Sequence, residues 1–313
     1  MDTVVMIQDL VKYYKDFKAV DGLNFEVKKG QIVGLLGPNG SGKSTTINCL
    51  LGLLNYQEGQ IELFNQPMKA DAYDLKRKIG VVFQDVAVFE ELTVYENIDY
   101  FCSLYVKDKK ERKEKVKNAI DLVAINNFVK HKPKQLSGGL LRRLNIACGI
   151  AHQPELIIFD EPTVGVDPQS RNHILKGIEQ LNQEGATVIY TSHYMEEVEQ
   201  LCDEIVIIDD GKNIAKGTKD ELLDLIETDE KITLTLNQIP EGLVEAVKCL
   251  DNFHSIDVNT KSIEVSFTKS SDNLGNLIAL TKEHHIDYES IYSVRPTLND
   301  VFLALTKKAL RDE

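Results

Sequence analysis

The stretch from Gln31 to Ile47, QIVGLLGPNGSGKSTTI, constrains the fold more than any other part of this chain. Its first residues are apolar and predict a buried strand, and the glycine-rich turn that follows matches the pattern G-x-x-x-x-G-K-[ST]. Glycines in such a turn permit positive φ angles, so backbone N–H groups can point inward around phosphate oxygens. A helix predicted to begin near Lys43 adds the positive end of its dipole. The sequence therefore predicts a phosphate-binding loop between a strand and a helix.

The residue types of this loop suggest individual roles. The ammonium of Lys43 is expected to neutralise the charge of β- and γ-phosphates, and the hydroxyl of Ser44 is expected to bind Mg²⁺. For the motif taken alone, a chance match in a glycine-rich loop is the alternative. The residues expected to contact the nucleotide here are Gly37, Pro38, Asn39, Gly40, Ser41, Gly42, Lys43, Ser44 and Thr45.

Charge and hydropathy exclude several classes of protein. A net charge of −13 argues against a general nucleic-acid-binding surface, because such surfaces are usually basic. A membrane-spanning helix needs about 20 predominantly apolar residues, and no such run occurs. The start of the chain carries Asp2 and no basic segment, so we expect no secretory signal and a cytosolic location. The five cysteines form no C-x-x-C pair, which favours buried reduced thiols over a metal site.

Two predicted strands end in polar residues with the chemistry of a phosphate-transfer site. The apolar run 156–159 predicts a strand buried on both faces, and it leads into Asp160 and Glu161. Asp160 suits Mg²⁺ and Glu161 suits a general base for water, since ligands bind at the carboxyl ends of parallel strands. A second apolar strand, 186–190, precedes His193, which could reach a γ-phosphate.

Three further segments are open to two interpretations. Gln84 follows a predicted strand at 79–83, where it could touch Mg²⁺ or water or simply cap the strand. Ser137, Gly138 and Gly139 open a predicted helix, either as a second anion-binding nest or as an ordinary N-cap. Tyr13 and Tyr14, predicted to lie in the turn between the first two strands, could stack on a purine or remain at the solvent edge.

The pattern changes near Glu227. Residues 231–308 predict the order βαββαβ followed by a closing helix, which is a small α+β unit. This part contains no glycine-rich loop and no paired carboxylates after a buried strand, so we expect a regulatory or docking role. The predicted domains are therefore 1–226 and 227–313.

The order of these motifs resembles that of the ATP-binding cassette (ABC) ATPases. The resemblance covers about residues 3–220 and comprises a Walker A loop at 37–45, a glutamine loop at Gln84, a signature at 136–140, a Walker B strand at 156–161, a D-loop through Asp167 and a switch histidine at His193. It implies an α/β P-loop NTPase cassette with a RecA-like mixed sheet, an antiparallel β subdomain and a helical subdomain at about 88–152. The C-terminal domain is then expected to be ferredoxin-like.

The resemblance also implies cofactors and partners. ATP and Mg²⁺ are expected, with Tyr14 stacking on adenine. Two cassettes of the family meet head to tail, so Ser137, Gly138 and Gly139 would bind the ATP held by the partner's Walker A loop. Asp167 would then link the two sites across what is expected to be a homodimer.

Two features of the sequence refine the resemblance. Leu140 stands where the signature usually ends in glutamine, and an apolar residue cannot make that glutamine's hydrogen bonds. The tail at 293–302 is similar to that of daunorubicin-resistance-type exporter cassettes, which work with a separate membrane subunit of about six spans. Segment 88–97 would lie where that subunit docks, at the cytoplasmic face of the membrane. The alternatives are an importer cassette and a stand-alone cassette in translation or DNA repair.

Overall fold

The computed structural model describes residues 2–226, 230–268, 272–294 and 296–306. These divide into two compact units, 2–218 and 219–306. The predicted domain boundary between residues 226 and 227 borders on 227–229, which lie outside the described residues, so it stays a prediction. Glu227, where the sequence pattern changes, and Arg295, in the tail similar to exporter cassettes, also lie outside the described residues.

The first unit contains two sheets and the helices that pack on them. Its strands are β1 (Thr3–Tyr14), β2 (Phe17–Lys28), β3 (Ile32–Leu36), β4 (Glu58–Leu63), β5 (Gln66–Pro67), β6 (Ile79–Val82), β7 (Leu156–Asp160), β8 (Thr187–Ser192), β9 (Glu204–Asp209) and β10 (Lys212–Gly217). Its helices are α1 (Lys43–Leu50), α2 (Tyr73–Lys76), α3 (Val94–Ser103), α4 (Lys109–Leu122), α5 (Gly138–Ile150), α6 (Pro168–Gln183) and α7 (Met195–Leu201).

The sheet that carries the nucleotide motifs is mixed. Its strand order is β10-β9-β3-β8-β7-β6, and only the β9–β10 pair in this order is antiparallel. Strands β3, β7 and β8 are buried along their whole length, as a parallel sheet covered on both faces requires. Because β3, β7 and β8 are adjacent and parallel, the segments that follow them meet at one edge.

The second sheet of this unit is antiparallel, with the order β2-β1-β4-β5. The prediction that Tyr13 and Tyr14 lie in the turn before β2 is wrong. Tyr14 pairs with Phe17, so the turn consists of Lys15 and Asp16 alone, and both tyrosines end β1. Lys15 takes a positive φ of 54°, which lets two residues reverse the chain. Apolar side chains from both sheets, such as Leu10, Leu23 and Leu35, share one core.

Helices α3, α4 and α5 occupy the range predicted for a helical subdomain. Helix α3 begins at a capping box, in which Thr93 and Glu96 each bond the other's main-chain N–H. Asp108 caps α4, and Ser137 caps α5. The sequence places a strong N-cap residue before each of these helices, which fixes where each one begins.

The second unit is an α+β arrangement. It contains α8 (Lys219–Leu223), β11 (Glu230–Thr235), α9 (Leu243–Lys248), β12 (Phe253–Val258), β13 (Ser262–Phe267), α10 (Asn273–Glu283), β14 (Ser290–Val294) and α11 (Leu298–Thr306). The sheet is antiparallel, with the order β12-β13-β11-β14. Alternate residues of β11, Ile232 and Leu234, are fully buried in its own apolar core.

Within the described ranges, no helix combines the length and the apolar character needed to cross a bilayer.

Candidate functional site

At two positions of the loop between β3 and α1, the surrounding main chain leaves room for glycine alone. Gly42 takes a φ of +104°, and a Cβ there would lie 2.6 Å from the main-chain oxygen of Ala19. At Gly37 a Cβ would lie 2.2 Å from the main-chain oxygen of Ile208. Close main-chain approaches therefore require glycine at both positions, and at Gly42 the positive φ requires it as well.

Inside the loop, polar groups point inward. The Nζ of Lys43 donates to the carbonyl oxygens of Gly37 at 2.8 Å and Pro38 at 3.2 Å. The ammonium is almost fully buried, and this burial lowers its pKa, while the Glu161 carboxylate opposes the shift. The hydroxyl of Ser41 is also buried and has no hydrogen-bond partner among the described residues. A buried cation and an unpaired buried hydroxyl in one cradle fit an anionic ligand such as a phosphate chain.

The remaining predicted loop residues lie along the same turn and the start of α1. These are Asn39, Gly40, Ser44 and Thr45, with Ser44 and Thr45 in the first turn of the helix.

Asp160 lies at the end of β7, beside the start of α1. Its Oδ1 accepts from the hydroxyl of Thr191 at 2.6 Å and from that of Ser44 at 3.4 Å. A carboxylate and a hydroxyl this close are oxygen ligands of the kind that Mg²⁺ prefers. Two of the three residues predicted to bind the metal, Asp160 and Ser44, are therefore brought together from β7 and α1.

The carboxylate of Glu161, the next residue, is held between two neighbouring side chains. Its Oε1 lies 3.4 Å from Nζ of Lys43, and its Oε2 lies 3.2 Å from Nδ1 of His193. The residue has a left-handed φ of 47°, which is strained for glutamate. Its N–H donates to the hydroxyl of Thr191 at 3.0 Å. Three residues that the sequence singles out separately, Lys43, Glu161 and His193, thus converge on one point.

Among the described hydrogen bonds, none joins the predicted site residues Gln84 and Tyr14 to this group. Gln84 follows β6 and is exposed, and among the described hydrogen bonds none joins its side chain to Ser44 or Asp160. Tyr14 ends β1 with 45% of its surface exposed, and Nζ of Lys12 lies 5.2 Å from its ring centroid. An exposed aromatic face next to a cation remains open to stacking.

The signature residues form a second cluster with the predicted D-loop. Ser137 and Gly138 are exposed at the start of α5, whereas Gly139 is buried. A Cβ on Gly139 would lie 2.2 Å from the Ser170 hydroxyl and 2.7 Å from a carboxylate oxygen of Asp167, which caps α6. Within the described part of the chain, no hydrogen bond links this cluster to the loop at 37–45. The signature and the phosphate loop are thus two separate groups of residues in the described chain.

Sequence reasoning missed three residues that hold these clusters in place. Thr191 bonds both Asp160 and the main chain of Glu161, and its position two residues before His193 could have revealed it. Arg142 and Glu197 are buried on α5 and α7. Their sequence neighbours Arg143 and Glu196 are of the same type, so residue type alone does not predict which member of each pair is buried.

Comparisons with known proteins agree with this geometry. The family model described as ABC transporter matches residues 20–164. Among curated proteins, the linearmycin resistance ATP-binding protein LnrL of Bacillus subtilis is 40% identical over 99% of this chain and 100% of its own length. The daunorubicin resistance ATP-binding protein DrrA3 of Streptomyces coeruleorubidus is 33% identical over 97% of this chain and 96% of its own.

Solved structures match a large part of the chain. One described as the ATP-binding subunit of an ABC transporter has a TM-score of 0.65 and 26% identity, covering 71% of this chain and 92% of that chain. The dimeric structure of the bacterial ABC transporter cassette MJ0796 has a TM-score of 0.63 and 28% identity, covering 68% and 98% respectively. The expectation of an ABC cassette with a mixed sheet and an antiparallel subdomain is therefore confirmed. With the phosphate loop, paired carboxylates and signature in place, the chain belongs to the ABC transporter ATP-binding proteins, and it is an ABC transporter ATPase.

Proposed function

We propose that this chain hydrolyses ATP with Glu161 as the general base and thereby drives export through a separate membrane protein. The observation that carries the proposal is the Glu161 carboxylate, held between Lys43 and His193 beside the phosphate loop. A carboxylate in that position can polarise a water for attack, while Lys43 and His193 hold charge on the γ-phosphate.

ATP and Mg²⁺ fit the residues present. The phosphates would lie in the loop at 37–45, where Lys43 and the unpaired hydroxyl of Ser41 point inward. Mg²⁺ would be held by Ser44 and Asp160, with Gln84 as a further ligand, and would supply charge neutralisation for the phosphates. Tyr14 would stack on the adenine ring.

A second cassette would complete the site. Ser137, Gly138 and Gly139 would bind the ATP held by the phosphate loop of a second copy, and Asp167 would connect the two sites. The absence of bonds between signature and loop within the described chain supports this arrangement, as does the dimeric assembly named for the matching MJ0796 structure. The proposed assembly is a head-to-tail homodimer.

Export through a membrane subunit of about six spans, at the cytoplasmic face of the membrane, is the proposed use of this energy. The relatives that match nearly the full chain are named for resistance to linearmycin and daunorubicin, and another for Nod factor export. These names support efflux of a drug, a peptide or toxin, or a lipid-like molecule over import or a role in translation or DNA repair. A cleft of about 340 Å³ beside segment 88–97, lined by Phe83, Phe101 and Tyr105 among others, offers apolar surface for such a subunit.

We further propose that the second unit is ferredoxin-like and serves an accessory or regulatory role. The order βαββαβ and the antiparallel arrangement β12-β13-β11-β14 support that assignment.

The direct test is ATP turnover by Glu161→Gln. The amide keeps the size of the side chain and loses the base, so turnover should fall by roughly 10² or more while ATP binding is retained. Glu155→Gln is a matched control, because Glu155 immediately precedes the same strand, β7, with 56% of its side chain exposed. Near-normal turnover in Glu161→Gln, or equal losses in both variants, would reject the role of Glu161.

A further inference from the structure

Arg142, on the signature helix α5, makes a set of contacts that the motifs leave unexplained. Its side chain is buried, with 4% of its surface exposed. Nε donates to the carbonyl oxygen of Pro162 at 2.7 Å, and Nη2 donates to those of Glu161 at 2.6 Å and Asp160 at 3.5 Å. One guanidinium therefore gathers three successive carbonyls of the Walker B segment.

The same side chain also reaches the glutamine loop. Nη1 donates to the carbonyl oxygen of Phe83 at 3.0 Å and to that of Gln84. All five acceptors are main-chain oxygens, so the cation forms no hydrogen bond to a carboxylate among the described residues. Burial lowers the pKa of Arg142, although an arginine stays charged in proteins. Burying a cation costs free energy unless its N–H groups are hydrogen-bonded. Here the acceptors come from both the Walker B segment and the glutamine loop.

The bond from Arg142 to the carbonyl oxygen of Glu161 acts on the residue proposed as the general base. Glu161 takes a left-handed φ of 47°, which must be held by its surroundings. Its N–H is held by Thr191 from β8, and its carbonyl is held by Arg142 from α5. The main chain on both sides of the strained Cα is thus fixed by hydrogen bonds, which sets the direction of the carboxylate.

The neighbouring arginine shows that this arrangement is specific to position 142. Arg143 lies on the same turn of α5, and its Nη1 donates to the carbonyls of Val123 and Ala124, just after α4. Both contacts stay within the helical subdomain. Arg142 alone of this pair connects that subdomain to the residues after β6 and β7.

We propose that Arg142 is a positioning residue. It holds the main chain at Gln84 and Glu161 in a fixed position relative to the signature helix, α5. A displacement of α5 would then move or break the bonds that orient the general base. The effect of Arg142 is on the catalytic step, since none of its bonds reaches the phosphate loop itself. The inference rests on the proposed role of Glu161 in ATP hydrolysis.

The test compares Arg142→Met and Arg142→Lys with Arg143→Met in the full-length chain. Methionine keeps an apolar stem of similar length and removes every donor, while lysine keeps the charge with a single donor head. We measure kcat and KM for ATP, together with the thermal midpoint and direct nucleotide binding. Arg142→Met should lower kcat by about tenfold or more with KM changed by less than about twofold, because transition-state positioning is lost and ATP binding is not.

Arg142→Lys should regain part of this loss and remain at least about threefold below the wild type, since one ammonium cannot serve both loops. Arg143→Met should stay within about twofold of the wild-type kcat. The proposal is overturned if Arg142→Met keeps its kcat, if kcat and KM change in parallel, or if Arg143→Met loses as much. Should the methionine variant fail to fold, a wild-type kcat in Arg142→Lys overturns it equally. A wild-type chain without ATP turnover would instead reject the proposed function.

Discussion

The two units of this chain differ in what they bury. The described part of the second unit buries the polar side chains Ser266, Asn273 and Thr281, and none of its buried side chains is ionisable. The first unit buries charged groups as well, including Lys43 and Glu161. A buried charge costs free energy unless it is paired, so a protein that keeps several in one place uses them for something other than stability. The difference locates the chemistry in the first unit and leaves the second with a packed apolar core.

Glu197 illustrates how the first unit accommodates such groups. Its Oε2 accepts hydrogen bonds from the hydroxyls of Thr163 at 2.8 Å, Tyr190 at 2.7 Å and Ser192 at 3.2 Å. Its Oε1 lies 3.1 Å from Nε of Arg171. The carboxylate thus connects the segment that follows β7 with strand β8, close to the site.

Loss of a core side chain in the second unit tests whether ATP turnover is independent of that unit's stability. Leu234→Ala removes a fully buried side chain from its core and should cost about 2–5 kcal/mol in the stability of that unit. Hydrogen exchange of the β11 amides measures this loss, and Thr233→Ala, on the opposite face of the same strand, is the control. At temperatures where the second unit stays folded, ATP turnover should match the wild type. A large loss of turnover there would break the division between the units.

An intermediate effect should appear as a pH dependence of the first unit. His152 stacks on Tyr105 with centroids 3.9 Å apart, and burial lowers its pKa to about 4. The unfolded chain takes up the proton near pH 6.5, so the folded state loses stability as the pH falls from about 6.5 to about 4. The loss attributable to this group should reach about 3 kcal/mol.

Denaturant titrations of the wild type and His152→Gln at pH 7 and pH 4.5 isolate this contribution. The wild type should lose more stability than the variant between the two pH values. The second unit offers the contrast, because its described histidines, His254, His284 and His285, are all exposed. Equal acid sensitivity in the wild type and the variant would show that His152 is not the group responsible.

The smallest effect concerns side-chain hydrogen bonds at a helix start, which occur in both units. Thr93 and Glu96 cap α3, and Thr297 and Asp300 make the corresponding N–H and hydroxyl bonds at the start of α11. Thr93→Ala and Thr297→Ala should each cost about 1 kcal/mol or less, since each removes a hydroxyl bonded at the start of its helix. Thermal midpoints of the two variants check this. A cost several times larger for one of them would show that its helix start has a further role.

The sequence predicts those elements that are specified by a short local pattern. The apolar runs of β3, β7 and β8, the phosphate loop and the N-cap at Ser137 follow from short segments, because burial and turn geometry restrict which residues can stand there. The sequence predicts a role for each of Lys43, Asp160 and Glu161 separately, and their convergence is explained by parallel strands that end at one edge of a sheet.

The residues that escaped prediction act across long separations in the chain. Arg142 bonds carbonyls near positions 84 and 161, and main-chain carbonyls leave no trace in the sequence. The predicted turn before β2 wrongly includes Tyr13 and Tyr14, because two aromatic residues can end a strand as readily as begin a turn. Contacts of this kind depend on register and burial, which a local pattern cannot give.

Complementation between two inactive variants tests most directly whether the ATP site is shared between two copies of the chain. Lys43→Ala removes the cation from the phosphate loop, and Ser137→Arg blocks the exposed start of the signature helix. If ATP lies between the loop of one copy and the signature of another, a mixed dimer keeps one intact site. An equal mixture should then recover about a quarter of the wild-type turnover, because half of the dimers are mixed and each has one of two sites. A mixture that hydrolyses no more ATP than the separate variants would contradict the composite site.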